Sequence, residues 1–144
     1  MELIGKNRVV IAFGANIGNK EAQIKMALQL LSERCGSVVQ VSSIYKSKPV
    51  GFDSPHEFLN GCLLLLTDLS PHALLGELQT IEETIGRRKK QDTVYEDRCI
   101  DLDIIFYENL YLNTPTLQIP HPRFLERPFV TEPIRELSLD FFPF

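Results

Sequence analysis

The segment Ile100-Asp101-Leu102-Asp103-Ile104-Ile105-Phe106-Tyr107 constrains the fold more than any other part of the chain. Its β-branched and aromatic content and its period of two describe a strand. Side chains alternate across a strand, so Ile100, Leu102, Ile104 and Phe106 are expected on one face and Asp101, Asp103, Ile105 and Tyr107 on the other. The two carboxylates then share a face, roughly 6.5–7 Å apart along the backbone. Such a strand needs a sheet with one face to bury and another that tolerates charge.

The other segments supply that sheet. Arg8 to Phe13 is a short apolar run that reads as a buried strand. From Lys20, apolar residues recur at Ile24, Ala27, Leu28 and Leu31, one face of a helix that Gly36 can end. Val38 to Tyr45 reads as a second strand and Phe58 to Thr67 as a third, with a proline-containing loop between them. Ser70-Pro71 starts a second helix with a capping hydroxyl and a proline at its first position. Leu74, Leu78, Ile81 and Ile85 form its apolar stripe, Gly86 ends it, and a polar loop runs to Asp97. After Tyr107 the chain is proline-punctuated. An extended piece is expected near Tyr111 and Leu117–Ile119, and one or two short helices between Pro128 and Leu137.

The order strand, helix, strand, strand, helix, strand predicts an α+β, ferredoxin-like βαββαβ antiparallel sheet. Two helices would cover one face and leave the other free to hold a ligand. The 144 residues are expected to form one domain, 1–144. The net charge of −4 argues against a general nucleic-acid binder. Apolar runs such as Leu63–Leu66 are too short to span a bilayer, and the start lacks the pattern of a signal peptide. Cys35, Cys62 and Cys99 have neither metal-ligand nor redox spacing, so they are expected as reduced thiols, at least two of them buried. Together these features predict a cytoplasmic protein with no membrane or nucleic-acid partner.

Asp101 and Asp103 are the strongest chemical signal. Carboxylates are hard ligands suited to Mg²⁺, which takes one or two of them together with phosphate oxygens and water. Two ions held by such a pair can orient a polyphosphate. The competing reading is the polar face of an edge strand, yet aspartate is disfavoured in strands and like charges on one face repel. Arg87, Arg88, Lys89, Lys90 and Arg98 precede the pair, and His121, Arg123 and Arg127 follow it. Forked arginine donors match phosphate oxygens, although a run such as Arg87–Lys90 taken alone describes a solvated loop as well. His121, between two prolines, fits a packing role or a phosphate donor and proton carrier. Gln79 and Glu82 share a helix face that suits plain helix surface or a bound adenosine. No P-loop, dinucleotide fingerprint, Gly-x-Ser-x-Gly or His-Glu-x-x-His sequence is present.

An ordered set of short motifs runs along nearly the whole chain. It comprises Gly14-Ala15-Asn16-Ile17-Gly18, Ser43-Ile44-Tyr45-Lys46-Ser47-Lys48-Pro49-Val50-Gly51, Phe58-Leu59-Asn60, Gln79-Thr80-Ile81-Glu82 and Gly86-Arg87. It continues with Arg98-Cys99-Ile100-Asp101-Leu102-Asp103-Ile104, Pro120-His121-Pro122-Arg123 and Glu126-Arg127-Pro128-Phe129. The set resembles the 6-hydroxymethyl-7,8-dihydropterin pyrophosphokinases of folate biosynthesis. The resemblance implies the same ferredoxin-like fold and transfer of pyrophosphate from MgATP to the pterin, releasing AMP. It implies two Mg²⁺ ions on Asp101 and Asp103, with ATP contacts from Gln79, Glu82, Arg87, Arg98, Ile104, His121 and Arg127. Ser47, Val50, Phe58, Asn60, Tyr95 and Phe129 match the pterin-binding positions. Arg87, Lys89 and Arg98 join the two aspartates as expected catalytic groups, Lys89 standing where a second loop arginine is usual. The two long loops, 46–57 and 87–98, are expected to close over ATP, and a monomer is expected. The alternatives are a non-catalytic ferredoxin-like sensor or pairing module, in which the aspartates are surface charges, and a different two-metal phosphoryl or nucleotidyl transferase.

Overall fold

Two unbroken apolar runs become the centre of an antiparallel sheet in the computed structural model, which describes residues 5–48, 56–86 and 99–139. In chain order the elements are β1 (Asn7–Ala15), α1 (Lys20–Arg34), β2 (Gly36–Val41), β3 (Tyr45–Ser47) and β4 (Phe58–Thr67). They continue with α2 (Pro71–Ile85), β5 (Asp101–Tyr107), β6 (Leu112–Asn113), β7 (Gln118–Ile119), a 3-10 turn at Phe124–Glu126, and α3 (Pro128–Glu136). The sheet order is β2-β4-β1-β5, every neighbouring pair antiparallel, with β3 running beside β4. β6 and β7 form a small separate ribbon. No helix among the described residues is long and apolar enough to cross a membrane.

Both long helices form where their periodicity and caps place them. The Asn19 side chain accepts from the Ala22 N–H, and the Ser70 hydroxyl accepts from the Ala73 N–H. Ile24, Ala27 and Leu31 of α1 and Leu74, Leu78 and Ile81 of α2 are buried against Val9, Ile11, Phe13, Leu63 and Leu65. On the sheet's opposite face Val10, Ala12, Cys62, Leu64, Ile105 and Phe106 meet Phe124, Val130, Ile134 and Leu137. That face is therefore only partly free. α3 and the 3-10 turn close one half of it, with the Phe106 and Phe124 rings edge to face at 4.9 Å.

Two strand expectations need correction. Val38 to Tyr45 is not one strand. Ser42 interrupts it: its hydroxyl takes the Cys62 N–H at 2.9 Å, so the ladder on β4 divides into β2 and β3. Nor does β5 alternate to its end. Val10 lies opposite Phe106 while Ile11 lies opposite Ile104, which leaves Ile105 as an extra residue in a bulge. Beyond the bulge the faces exchange. Phe106 joins Ile105 under α3, whereas Tyr107 turns toward the helices and donates its hydroxyl to the Leu69 carbonyl at 2.6 Å.

All three cysteines are free thiols; Cys35 and Cys62 are buried and Cys99 is half-buried. Burial, reinforced by the Glu77 carboxylate, pushes the Cys35 thiol up to about 11, and burial takes Cys62 to about 12. The thiolate is the reactive form. Iodoacetamide at neutral pH should therefore label Cys99 in the native protein, and Cys35 and Cys62 only after denaturation. Peptide mass analysis showing equal native labelling of all three would contradict this packing.

Candidate active site

The register of three strands assembles the site. Asp101 of β5 lies opposite Gly14 of β1, which lies opposite Asn60 of β4, which lies opposite Tyr45 of β3. Paired residues share a face, so the four positions form one row across the face not covered by α1 and α2. Asp103, Ala12 and Cys62 make the next row, and Phe58 with Ser47 the row on the other side. The expected pairing of Asp101 and Asp103 on one face thus holds, and both are half-buried.

Gly14 leaves the floor between the aspartates and Asn60 without a side chain. A Cβ there would stand 3.0 Å from Asn60 Oδ1 and 3.4 Å from the Phe58 ring. Asn60 is buried, and its Nδ2 donates to Ser47 Oγ at 2.7 Å and to the Tyr45 carbonyl at 3.4 Å. Both bonds use the amino end, so the amide is oriented with Oδ1 over Gly14.

Three side chains that the sequence did not single out for this purpose brace the floor. Glu82 of α2 is buried, and its Oε2 accepts the N–H of Leu102, the residue between the two aspartates, at 2.8 Å. Its sequence neighbour on that face, Gln79, is exposed. Gln23 of α1 donates to the Ile17 carbonyl at 2.9 Å and to the Cys99 carbonyl at 2.6 Å, tying the turn after β1 to the entry of β5. Asn16, also buried, donates to the His56 carbonyl at 3.3 Å, just before β4 begins.

The remaining expected residues fall around this floor. The His121 N–H donates to the carbonyl of Ile105, the bulge residue, at 3.0 Å. His121 Nδ1 accepts the Arg123 N–H at 3.2 Å, which places the proton of the neutral ring on Nε2. Arg127 precedes α3, with its guanidinium carbon 5.9 Å from the centre of the Phe129 ring. The Phe129 side chain packs partly against the core beneath α3. The Ile104 side chain is buried on the helix side, so only its main chain can face a ligand on the open side. Val50, Arg87, Lys89, Tyr95 and Arg98 lie outside the described residues, as do most of the two loops expected to close.

A sequence model described as 7,8-dihydro-6-hydroxymethylpterin-pyrophosphokinase (HPPK) matches residues 10–139. The chain belongs to the HPPK family. The 2-amino-4-hydroxy-6-hydroxymethyldihydropteridine pyrophosphokinase of Porphyromonas gingivalis is 36% identical over 133 residues, covering 90% of each chain. The protein of the same name from Bacillus subtilis is 38% identical over 132 residues, 91% of this chain and 78% of that one. The folic acid synthesis protein fol1 of Pneumocystis carinii is 42% identical over 137 residues; these cover 95% of this chain but 18% of that protein. The fold is similar to that in a crystal structure of HPPK-DHPS in complex with substrates, with a TM-score of 0.69 at 14% identity. That match covers 96% of this chain and 40% of the other.

The brace from Glu82 in this HPPK chain is open to measurement. Glu82→Ala removes a charged acceptor from a buried N–H and should cost about 2 kcal/mol of unfolding free energy. Glu82→Gln keeps an acceptor and should cost less. Urea unfolding reads both, and wild-type stability in Glu82→Ala would show that the bond contributes nothing.

Proposed function

We propose that this chain transfers the pyrophosphoryl group of ATP to the hydroxymethyl oxygen of 6-hydroxymethyl-7,8-dihydropterin, releasing AMP, as a step of folate biosynthesis. The observation that carries the reading is the row Asp101, Gly14, Asn60 within an HPPK chain: an anionic pair and an amide-lined slot on one face, with bare backbone between them. The strand order supports the ferredoxin-like description. The family match over nearly the whole length supports one pyrophosphokinase domain, 1–144. The protein is read as cytoplasmic and monomeric, with small-molecule substrates and neither nucleic-acid nor membrane partners.

The residues fit the metal that the reaction uses. Two half-buried carboxylates project side by side from β5, a hard oxygen set of the number Mg²⁺ accepts when phosphates complete its shell. Asp101 and Asp103 would hold the two expected ions. When bound, Mg²⁺ neutralises polyphosphate charge and orients the β-phosphorus for in-line displacement.

The protein side of the mechanism is positioning. Asn60 Oδ1 accepts from an N–H on the heterocycle's edge, its amide held in that sense by Ser47. Phe58 and Phe129 offer aromatic faces to the flat ring, with Val50 and Tyr95 completing the pterin slot. Arg127, Arg87 and Arg98 take the phosphate oxygens, with Lys89 as a further cation and His121 donating from Nε2. Gln79 and the main chain of Ile104 face the adenosine end, while Glu82 acts there through its hold on Leu102. The hydroxymethyl oxygen attacks the β-phosphorus, the bond to the α-phosphate oxygen breaks, and AMP leaves.

With MgATP and the pterin together, chromatography should show AMP and pterin diphosphate rising in equal amounts, and neither substrate alone should give product. ADP, or no nucleotide product from folded protein, would overturn the reading. Asp101→Ala and Asp103→Ala should each lose more than about a hundredfold in turnover, beyond the loss typical of residues behind a metal ligand, with unchanged circular dichroism. Near-normal turnover in either variant would remove the metal assignment.

A further inference from the structure

Ser43-Ile44-Tyr45 belongs to the matched motif set, yet the reaction as derived leaves it without a task. The Ser43 and Tyr45 side chains converge on Glu136, the last residue of α3. The Glu136 carboxylate accepts the Ser43 N–H at 2.9 Å, the Ser43 hydroxyl at 2.7 Å and the Tyr45 hydroxyl. A carboxylate at a helix C-terminus faces the negative end of the helix dipole, so unpartnered it would be unfavourable there. Tyr45, then the Ser43 N–H and hydroxyl, hold the Glu136 carboxyl below the usual carboxylate range.

α3 is poorly specified from within. It has nine residues, short for a helix that must hold its own shape. It has no side-chain cap at its start, and Pro133 offers no N–H to the Phe129 carbonyl one turn earlier. Its position over the sheet therefore depends on outside contacts. Val130, Ile134 and Leu137 supply apolar ones; Cys62 Sγ donates to the Val130 carbonyl at 3.6 Å, Gln40 exchanges two bonds with Ser138 just beyond the helix, and Glu136 adds a carboxylate with several donors. The other end of that last contact reaches the proposed pterin slot. Tyr45 sits opposite Asn60 and accepts from its amide through the main-chain carbonyl, and Phe129 rides on the first turn of the same helix.

We infer that Ser43, Tyr45 and Glu136 form a clasp that positions the heterocycle slot by fixing α3, and with it Phe129, relative to Phe58 and Asn60. This rests on the pterin reading given above. None of the three is a catalytic residue. The clasp acts on acceptor binding more than on ATP binding, which α3 reaches only through Arg127 at its start.

Hydrogen exchange and ligand titration on Glu136→Ala, Tyr45→Phe and Glu136→Gln test it. In Glu136→Ala the amides of Val130 and Thr131 should exchange about tenfold faster. Affinity for the pterin should fall about tenfold, the equivalent of about 1.4 kcal/mol. Affinity for a non-hydrolysable ATP analogue should fall less than that for the pterin, because Arg127 stands at the start of α3 and the other described ATP contacts do not. Tyr45→Phe, which loses one hydroxyl and keeps the ring, should move both readouts less in the same direction. Glu136→Gln, still an acceptor, should restore most of both. Unchanged exchange at Val130 and Thr131 would overturn the clasp whatever the protein binds. Equal loss of pterin and ATP analogue, or lowered thermal stability with pterin affinity intact, would reduce it to an ordinary structural contact. Wild-type protein that makes no AMP would count against the proposed reaction, and the exchange arm would still decide the clasp.

Discussion

Everything at the site depends on β1 being paired on both edges in one register. Its residues alternate between the two cores, Val9, Ile11 and Phe13 under the helices and Val10 and Ala12 under α3. A slip of one residue along either neighbour would turn each partner side chain to the opposite face. The aspartates would then enter an apolar core, where an unpaired carboxylate is strongly disfavoured. Hydrophobic burial on the two faces thus holds Asp101 and Asp103 across Gly14 from Asn60, although none of these four contributes much apolar surface to it.

The bulge at Ile105 lets one strand serve two purposes. Before it, β5 presents carboxylates to the open half of the face. After it, Ile105 and Phe106 present consecutive apolar side chains to Phe124, Val130 and Ile134. Burying a side chain such as Phe106 contributes roughly 1.5–3 kcal/mol, so the closed half anchors α3. The polar half then lies at the margin of a packed cluster, with the His121 main chain bonded to the bulge carbonyl.

Much of this could be read from the residues. The two helices, their apolar stripes, Ser70-Pro71 as a start, the extent of β4 and the shared face of the aspartates all follow from period and capping chemistry. The bulge could not be read, because Ile104-Ile105-Phe106 is apolar throughout and satisfies either face. Ser42 is a small hydroxyl in a β-branched run, and only its bond to Cys62 reveals the break. Glu82 fitted helix surface or an adenosine contact equally, and its bracing role is legible only once its donor, Leu102 N–H, is in place. The covering role of α3 was hidden by its prolines, which obscure the helical period. Gln23 and Glu136 gain meaning only from carbonyls and hydroxyls distant in sequence. Their signal is topological, not local.

The proposed reaction puts metal-bound polyphosphate over Asp101 and Asp103, beside the bare backbone of Gly14. Paramagnetic broadening of amide resonances tests it most directly, with Mn²⁺ and a non-hydrolysable ATP analogue added to isotopically labelled protein. The account predicts the strongest broadening at Gly14, Asp101 and Asp103, with Lys6 and Thr67 at the far end of the sheet retaining their signals. Strongest broadening elsewhere, or the same pattern in Asp101→Ala, would contradict it.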